Sequence, residues 1–187
     1  MAINKDNIIV EGASGKFGKK LVFRQRGVLT IMSKAPKKTT KAPTTAQIEQ
    51  RELFGEASIY AKSVIANPEL KAIYQAKATG NQSAYNVAFK DYLTAPTCEF
   101  ELSGYTGAIG DIIKLKIKDV IEVTNAVVSM YDAEGVLLEE GNAIQQDNLL
   151  WWNYTTTTEN ASLPGTRIVV KLTSFPGNVY EYVAIIE

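Results

Sequence analysis

The spacing of apolar residues changes twice along the chain and divides it into three segments. Up to residue 43, short apolar runs alternate with glycine-rich or charged stretches, which is typical of strands and their connections. From residue 44 to residue 96, apolar residues recur every three or four positions, as on one face of a helix. From residue 97 to residue 187 the period is two, which indicates β-strands.

The first segment, residues 1–43, is predicted to be a basic, glycine-rich β arm that ends in a linker. Leu21–Phe23 and Val28–Met32 are apolar runs, and the four residues between them have turn composition, so we predict a β-hairpin. Ile8–Val10 is expected to form a further strand. The stretch 34–43 is rich in Lys, Thr and Pro, a composition that builds no core and indicates an extended arm.

The second segment, residues 44–96, is predicted to contain three short helices. Thr44 and Gln47 have the spacing of a capping box at the start of the first helix. Asn67 and Pro68 fit the cap and first position of the second helix, and Gly80 separates it from the third. The apolar positions that we expect to be buried are Phe54, Ala57, Ala61, Val64 and Ile65, then Leu70, Ile73 and Tyr74, then Tyr85, Ala88, Phe89 and Tyr92.

The third segment, residues 97–187, carries seven short alternating runs separated by turn residues such as those of Pro176–Asn178. This number and spacing of strands is typical of an immunoglobulin-like sandwich. The predicted fold class is therefore α+β, with a β-hairpin, three short helices and an antiparallel sandwich. The predicted strands are Glu99–Leu102, Ile112–Ile117, Ile121–Tyr131, Val136–Glu139, Leu149–Thr157, Thr166–Thr173 and Val179–Ile186.

The charged residues are distributed unevenly, although the net charge of the whole chain is zero. Residues 1–41 hold ten Lys and Arg against two acidic residues, a net charge of +8. Residues 42–98 are neutral, and residues 99–187 hold thirteen acidic against five basic residues, a net charge of −8. Two surfaces of opposite charge on one chain are expected to attract each other between copies.

The residue inventory argues against an enzyme. The chain has no histidine, so serine or cysteine nucleophiles activated by histidine are excluded, as is the commonest ligand of catalytic zinc. Its one cysteine, Cys98, forms no disulfide within the chain and is expected to be an inert thiol at the domain junction. We therefore expect no catalytic residue, no bound cofactor and no metal.

No apolar run is long enough for a transmembrane helix, and the N-terminus has no pattern of a cleavable signal. The compartment stays open at this point. A cytoplasmic protein, a particle-associated protein and one exported without a signal peptide are all compatible with the sequence.

The stretch from Ile8 to Gly18 imitates a dinucleotide-binding turn, because an apolar run is followed by glycines at three-residue intervals. Such a turn requires a helix that starts near Lys16 and several further parallel strands. The remaining sequence predicts helices and then antiparallel strands, without further alternation. A NAD(P)-binding enzyme is kept only as the third alternative, and a glycine-rich connection between strands is preferred.

The stretch between residues 15 and 92 carries the motifs Gly15-Lys16-Phe17-Gly18, Val22 to Gly27, Ser33-Lys34-x-Pro36, Pro43-Thr44-x-Ala46-Gln47, Arg51-x-x-Phe54, Tyr60-Ala61 and Tyr85-Asn86. In these motifs the chain resembles an uncharacterised family of small bacterial and prophage-associated proteins. The resemblance implies an architecture and not an activity.

The stretch from residue 119 to residue 187 carries the motifs Val123-x-x-Ala126-Val127-Val128, Tyr131-Asp132-Ala133-x-Gly135, Glu139-x-Gly141-x-Ala143, Trp152-x-Tyr154 and Pro176-Gly177-Asn178-Val179. In these motifs the chain resembles bacterial immunoglobulin-like repeats of surface and structural proteins. Those repeats often carry an Asp before the Pro-Gly-Asn, where this chain has Ser174-Phe175, so no calcium site is carried over.

Charge and resemblance together lead to a hypothesis of function. We expect a structural or assembly protein whose copies associate head to tail, as in a filament, surface appendage or phage-like particle, and nucleic acid is a disfavoured partner. The residues expected in the assembly arm are Lys16, Lys19, Lys20, Arg24, Arg26, Lys34, Lys37 and Lys38. The alternative is a module whose sandwich binds a glycan or a protein. Trp151 and Trp152 are its candidate contacts, and because they alternate across a strand, one of them is expected in the core.

Overall fold

The structure, a computed structural model, describes residues 2–4, 8–37 and 40–187. These residues form two compact units. The first lies within residues 1–51 and includes 78–82, and the second comprises 52–77 and 83–187. Among the described residues, no helix combines the length and the apolar character that a membrane crossing needs.

The first unit contains a four-stranded antiparallel sheet of order β1-β4-β3-β2. The predicted hairpin is confirmed, and a turn at Gly27 and Val28 joins its strands. The turn is shorter than predicted, because Arg24 to Arg26 belong to the strand and Gly27 takes a φ of 60°. The prediction of a strand at Ile8–Val10 was wrong, since these residues form a turn. The strands are β1 (Ala2–Asn4), β2 (Gly15–Phe17), β3 (Leu21–Arg26) and β4 (Leu29–Lys34).

Three helices follow, as predicted: α1 (Thr45–Ala66), α2 (Pro68–Lys77) and α3 (Ala84–Leu93). The capping box is confirmed, because the Thr44 amide donates to Gln47 Oε1 at 3.2 Å and the Gln47 amide donates to Thr44 Oγ1 at 3.4 Å. Asn67 caps α2 by accepting the Glu69 amide at 2.9 Å. The first helix is not short, since it runs for 22 residues.

The helical residues of the second unit bury a narrower face than the sequence predicted. Phe54 is 47% exposed and Ile73 is 41% exposed, although both were expected in the core. In α3 the buried positions are shifted by one residue from the predicted stripe and include an aspartate. The buried helical residues are Ala57, Ala61, Val64, Tyr74, Ala84, Val87, Ala88 and Asp91.

The remainder of the second unit is an immunoglobulin-like sandwich of two four-stranded antiparallel sheets. One sheet has the order β5-β6-β10-β9 and the other β12-β11-β7-β8, which correspond to the A-B-E-D and G-F-C-C′ sheets of immunoglobulin domains. The strands are β5 (Thr97–Glu101), β6 (Ile112–Lys118), β7 (Val123–Tyr131), β8 (Leu137–Asn142), β9 (Ile144–Gln145), β10 (Trp151–Thr155), β11 (Arg167–Ser174) and β12 (Val179–Ile185).

All seven predicted strands are present in the sandwich, and β9 is an addition. Alternate residues of β6 point inward, since Ile113, Leu115 and Ile117 are at most 4% exposed. They form one core with the inward residues of the facing sheet, which are Val123, Ala126, Val128, Met130, Ile168, Val170 and Leu172. The alternation of the sequence is thus explained by the two sides of each sheet.

Helices and sandwich are joined within the second unit at the end of the sandwich that carries the β6–β7 and β11–β12 connections. The Asn178 side chain donates to the Tyr92 carbonyl at 3.0 Å, and the Tyr182 hydroxyl donates to the Pro96 carbonyl. The ring of Tyr74 meets the ring of Phe175 edge to face, with centroids 5.8 Å apart.

Candidate functional site: a basic sheet and a buried carboxylate cluster

Over its described residues 8–37 the N-terminal sheet buries very little of its apolar surface. Among the described residues 8–37, Thr30 is the one buried residue, at 2% exposure. Large apolar side chains instead face the solvent, with Phe17 72% and Val28 91% exposed. A single sheet is stable in water when another layer covers its apolar face.

The strand register distributes the predicted arm residues over both faces of this sheet. Lys16 lies opposite Val22 and shares that face with Arg24 and Arg26, which follow at alternate positions of β3. Lys34 lies opposite Leu21 on the other face. The predicted arm residues of the strands therefore lie on both faces.

One pocket of the first unit gathers four of the predicted lysines. It has a volume of about 720 Å³. Its apolar part comes from Leu21, Ala35 and Pro36, and its charged part from Lys19, Lys20, Lys34 and Lys37. The Ala35 amide donates to the Lys20 carbonyl at 2.9 Å and so holds the two halves of the pocket together. We call this feature the lysine pocket; Lys38, which was also predicted in the arm, lies outside the described residues.

The stretch that imitates a dinucleotide-binding turn adopts a different geometry. Lys16 lies in the middle of β2, at the position where a nucleotide-binding turn requires the start of a helix. Gly12, Gly15 and Gly18 all have positive φ angles, which glycine adopts more readily than other residues, and they lie before, at the start of and directly after β2. No phosphate-binding helix terminus is built here.

The two tryptophans are separated as their alternation predicts. Trp152 is 7% exposed and belongs to the core, whereas Trp151 is half-buried on the outer surface of the sheet. There Trp151 lies opposite Lys116 of β6, whose ammonium binds Glu99 at 2.9 Å. Only Trp151 is placed to contact a ligand on this surface.

A buried network of two tyrosines and one aspartate joins the three helices. The Tyr74 hydroxyl donates to Asp91 Oδ2 at 2.6 Å and lies 2.7 Å from the Tyr60 hydroxyl. Because the proton of Tyr74 is used toward Asp91, Tyr60 is the donor to Tyr74. Asp91 is completely buried, and its other oxygen, Oδ1, has no hydrogen-bond partner among the described residues.

The charge of a second carboxyl, that of Asp119 in the β6–β7 connection, acts on the Asp91 carboxyl. Burial, with a smaller contribution from the negative charge of Asp119, raises the pKa of Asp91 from 3.8 to about 6, while the hydrogen bond from Tyr74 and the Ile121 backbone amide act in the opposite direction. Burial also raises the pKa of Asp119, whose Oδ1 accepts the Val120 amide at 2.7 Å. Its Oδ2 is buried without a partner in the described chain.

A pocket of about 320 Å³ lies next to Asp119 in the second unit. Its walls include Trp152 and Leu149, and Leu149 has a left-handed φ of 57°. The charged residues Lys77, Lys118 and Glu122 also line it. This pocket therefore places charges of both signs near Asp119.

Five of the thirteen acidic residues of the segment 99–187 lie at the end of the sandwich opposite the helices, which we call the acidic end. Backbone hydrogen bonds join the loops at this end. The Asn160 amide donates to the Gly107 carbonyl at 2.8 Å, and the Gly165 amide donates to the Ile186 carbonyl at 2.8 Å. One of these carboxylates stabilises its own loop, since Asp111 Oδ2 accepts the Thr106 amide at 2.7 Å. The residues of the acidic end are Asp111, Asp132, Glu134, Glu159 and Glu187.

The sequence pointed to the basic residues and the tryptophans as candidate contacts, but it did not point to the buried network of Tyr60, Tyr74 and Asp91. A signal was present, because Asp91 follows Ala84, Val87 and Ala88 at helical spacing and so continues their buried stripe. The second carboxyl could not be found in this way. Asp119 lies 28 positions further along the chain, and only folding brings it near α3.

Comparisons with known proteins show no family. No family model matches the chain, and no curated protein matches it. Two solved structures share limited similarity. CopC from Methylosinus trichosporium OB3b is 16% identical, with 46% of this chain and 88% of that chain covered and a TM-score of 0.34. An engineered protein is 12% identical, with 54% of this chain and 25% of that chain covered and a TM-score of 0.37.

Proposed function

We propose that this chain is a non-enzymatic structural or assembly protein, in which the basic N-terminal sheet of one copy is covered by the acidic sandwich of another. The observation that carries the proposal is the exposure of large apolar side chains in that sheet. Phe17 is 72% exposed beside a lysine pocket, while the sheet buries only Thr30 among the described residues 8–37. Large exposed apolar groups within a charged surface are typical of interaction sites.

Charge complementarity selects a second copy as the occupant. The lysine pocket brings four positive charges around apolar atoms, and the acidic end brings several carboxylates together on the same chain. The two surfaces differ, so their contact is heterologous and repeats from copy to copy. Such a contact produces a ring when it closes and a filament when it does not.

The experiment measures assembly of the purified full chain by light scattering and electron microscopy at low and high salt. We expect oligomers or filaments at ~50 mM salt that dissociate at ~500 mM, because exposed charges are screened beyond a few ångströms at high ionic strength. The test variant reverses four charges of the lysine pocket, at Lys19, Lys20, Lys34 and Lys37, each to Glu.

A matched control reverses four exposed helical lysines and so changes the net charge by the same amount. Its substitutions are Lys62→Glu, Lys71→Glu, Lys77→Glu and Lys90→Glu. Assembly is expected to persist in the control and to be lost in the lysine-pocket variant. A chain that stays monomeric at every salt and protein concentration overturns the proposal, as does equal loss of assembly in both variants.

A second candidate function, glycan or protein binding by the sandwich, is favoured by one observation. Trp151 presents an aromatic surface beside Lys116 on the outside of a rigid sheet. A glycan array with the unmodified chain and with Trp151→Ala tests it. Binding that disappears with this substitution while assembly persists supports this candidate, and an array without binding removes it.

A further inference from the structure

The strand β12 (Val179–Ile185) forms an edge of the sandwich and is open to pairing on its outer side. It is hydrogen-bonded to β11, and no other strand among the described residues pairs with it. Its seven residues contain neither proline nor lysine, and they pair with β11 in one register without a bulge. Natural edge strands usually carry such features, because they prevent a further strand from adding to the sheet.

The other three edges of the sandwich each carry a protective feature. The strand β9 has only two residues. The strand β8 has an irregular register with β7 between Met130 and Tyr131, and β5 exposes Glu99 and Glu101 on one side. Short length, bulges and charged residues all oppose strand addition. The strand β12 is therefore the edge of the sandwich that is best suited to it.

The backbone groups that point away from β11 belong to the odd-numbered residues of β12. The Ile186 amide donates to the Thr166 carbonyl at 2.9 Å, and the Ser174 amide donates to the Asn178 carbonyl at 2.9 Å. Since alternate residues of an antiparallel strand bond to the same neighbour, the even-numbered residues face β11. The odd-numbered residues between 179 and 185 consequently direct their amides and carbonyls to the outer edge.

The same odd-numbered residues carry the exposed side chains of β12. Val179 is 63%, Val183 49% and Ile185 64% exposed, whereas Tyr182 packs against the core of the sandwich. Val183 lies opposite Val169 of β11, which is 5% exposed although its side chain lies on the outer face of the sheet. An apolar strip thus crosses this face and reaches the open edge.

We propose that β12 pairs with β12 of a second copy in antiparallel orientation, so that four strands of each copy form one continuous sheet. The two-fold axis passes through Val183, which lies opposite Val183 of the second copy. On either side of the axis, Glu181 lies opposite Ile185 of the other copy. Each of these pairs exchanges two backbone hydrogen bonds, because all its members direct their backbone groups to the edge.

Charge favours a second copy as the occupant and fixes the register. Within one copy Glu181 lies opposite Lys171 of β11, and Ile185 lies opposite Arg167. In the paired sheet the carboxylate of Glu181 lies between Lys171 of its own copy and, across Ile185, Arg167 of the second copy. An axis through Glu181 would place two carboxylates directly opposite each other, and an axis through Tyr182 would make them diagonal neighbours.

Sedimentation of the purified full chain tests the pairing in ~500 mM salt, where contacts between exposed charges are screened. We expect a dimer, because backbone hydrogen bonds and apolar contacts persist at that ionic strength. The pairing is independent of the contact proposed between the basic sheet and the acidic end, which dissociates in the same buffer. A dimer in ~500 mM salt supports the pairing whether or not larger assemblies form at low salt. A monomer there at every protein concentration overturns it.

A charge on the two-fold axis is expected to prevent the pairing. Val183→Lys places two like charges opposite each other and should raise the dissociation constant of the dimer at least ~10-fold. Ile144→Lys, at a 70% exposed position of β9, is the matched control and should leave that constant unchanged. Circular dichroism shows whether both variants keep the fold. Equal dissociation constants for two folded variants contradict the pairing.

A cysteine on the axis tests the register. Directly opposite residues of a hydrogen-bonded pair have Cα atoms about 5.5 Å apart, which is within the range of a disulfide. Val183→Cys is therefore expected to give a disulfide-linked dimer under mild oxidation. Ile185→Cys, which is exposed on the same face, is the control, because it lies opposite Glu181 and not opposite itself. Cross-linking of Ile185→Cys that is as efficient as that of Val183→Cys overturns the register.

Discussion

The side-chain amide of Asn178, in the turn between β11 and β12, donates a hydrogen bond of 3.0 Å to the backbone carbonyl of Tyr92 in the last turn of α3. The last carbonyls of a helix have no partner within the helix, so this bond satisfies one of them. It also explains why a turn of the sandwich holds the end of α3 in place. The same turn contributes Phe175, which contacts Tyr74 of α2.

Replacing Asn178 by Ala is expected to lower the free energy of unfolding by about 1 kcal/mol, because a partly buried hydrogen bond is lost and a helix carbonyl is left without its partner. Equilibrium unfolding in urea measures the change. Asn142→Ala serves as the control, since the Asn142 side chain is exposed on β8. Equal effects of the two substitutions would contradict the structural role of Asn178.

Replacing each of the two tryptophans by alanine should reduce the stability of the protein by very different amounts. Trp152→Ala removes a large side chain from the core and is expected to cost about 3–5 kcal/mol, whereas Trp151→Ala removes a half-exposed ring and should cost about 1 kcal/mol. Thermal unfolding of both variants, followed by circular dichroism, measures this difference. A Trp151 variant that is the less stable of the two would show that the sides of β10 are assigned wrongly.

Two glycines with similar backbone angles allow the cost of a steric contact to be distinguished from the cost of backbone strain when each is replaced by alanine. Gly107 has a φ of 90° and Gly110 a φ of 92°. A methyl group at Gly107 would lie 2.5 Å from the Asn160 carbonyl oxygen, whereas one at Gly110 would meet nothing within 4 Å. Gly110→Ala is expected to cost about 1–2 kcal/mol from strain alone.

Gly107→Ala is expected to cost clearly more, since the Asn160 loop must move as well. Urea unfolding of both variants measures the difference between them. If the two costs are equal, the loops that carry Gly107 and Asn160 are not held at the distance described.

The carboxyl of Asp111 should contribute to acid unfolding at the acidic end. Hydrogen bonds from the Thr106 amide and hydroxyl hold the pKa of this carboxyl below its ordinary value of 3.8. Its contribution to stability is therefore present above pH 4 and lost as the pH falls through the lowered pKa. This direction is opposite to that expected for Asp91, whose pKa is raised.

Melting temperatures between pH 2 and pH 5 test this contribution. In Asp111→Asn the fall of melting temperature at acidic pH should be smaller than in the unmodified chain. Asp147→Asn, at an exposed position of the β9–β10 connection, should behave like the unmodified chain. An Asp111 variant whose melting temperature falls at acidic pH as much as that of the unmodified chain would contradict the role of these hydrogen bonds.

Local patterns predicted those elements that depend on neighbours in the sequence. The capping box of Thr44 and Gln47 was predicted because its two bonds join residues three positions apart. The strands of the sandwich were predicted because their alternation reflects one buried and one exposed side. The strand at Ile8–Val10 was predicted wrongly, since an apolar triplet indicates a strand only where a partner strand is available.

The sequence by itself determined the order of hairpin, helices and sandwich, the separation of charge into +8 and −8 segments, and the absence of histidine. Only the tertiary structure decided which tryptophan is buried, which lysines share a pocket and which hydroxyl binds Asp91. The physical reason is that periodicity and charge belong to contiguous residues. The hydrogen bond between Tyr74 and Asp91, in contrast, depends on how α2 and α3 approach each other when the chain folds.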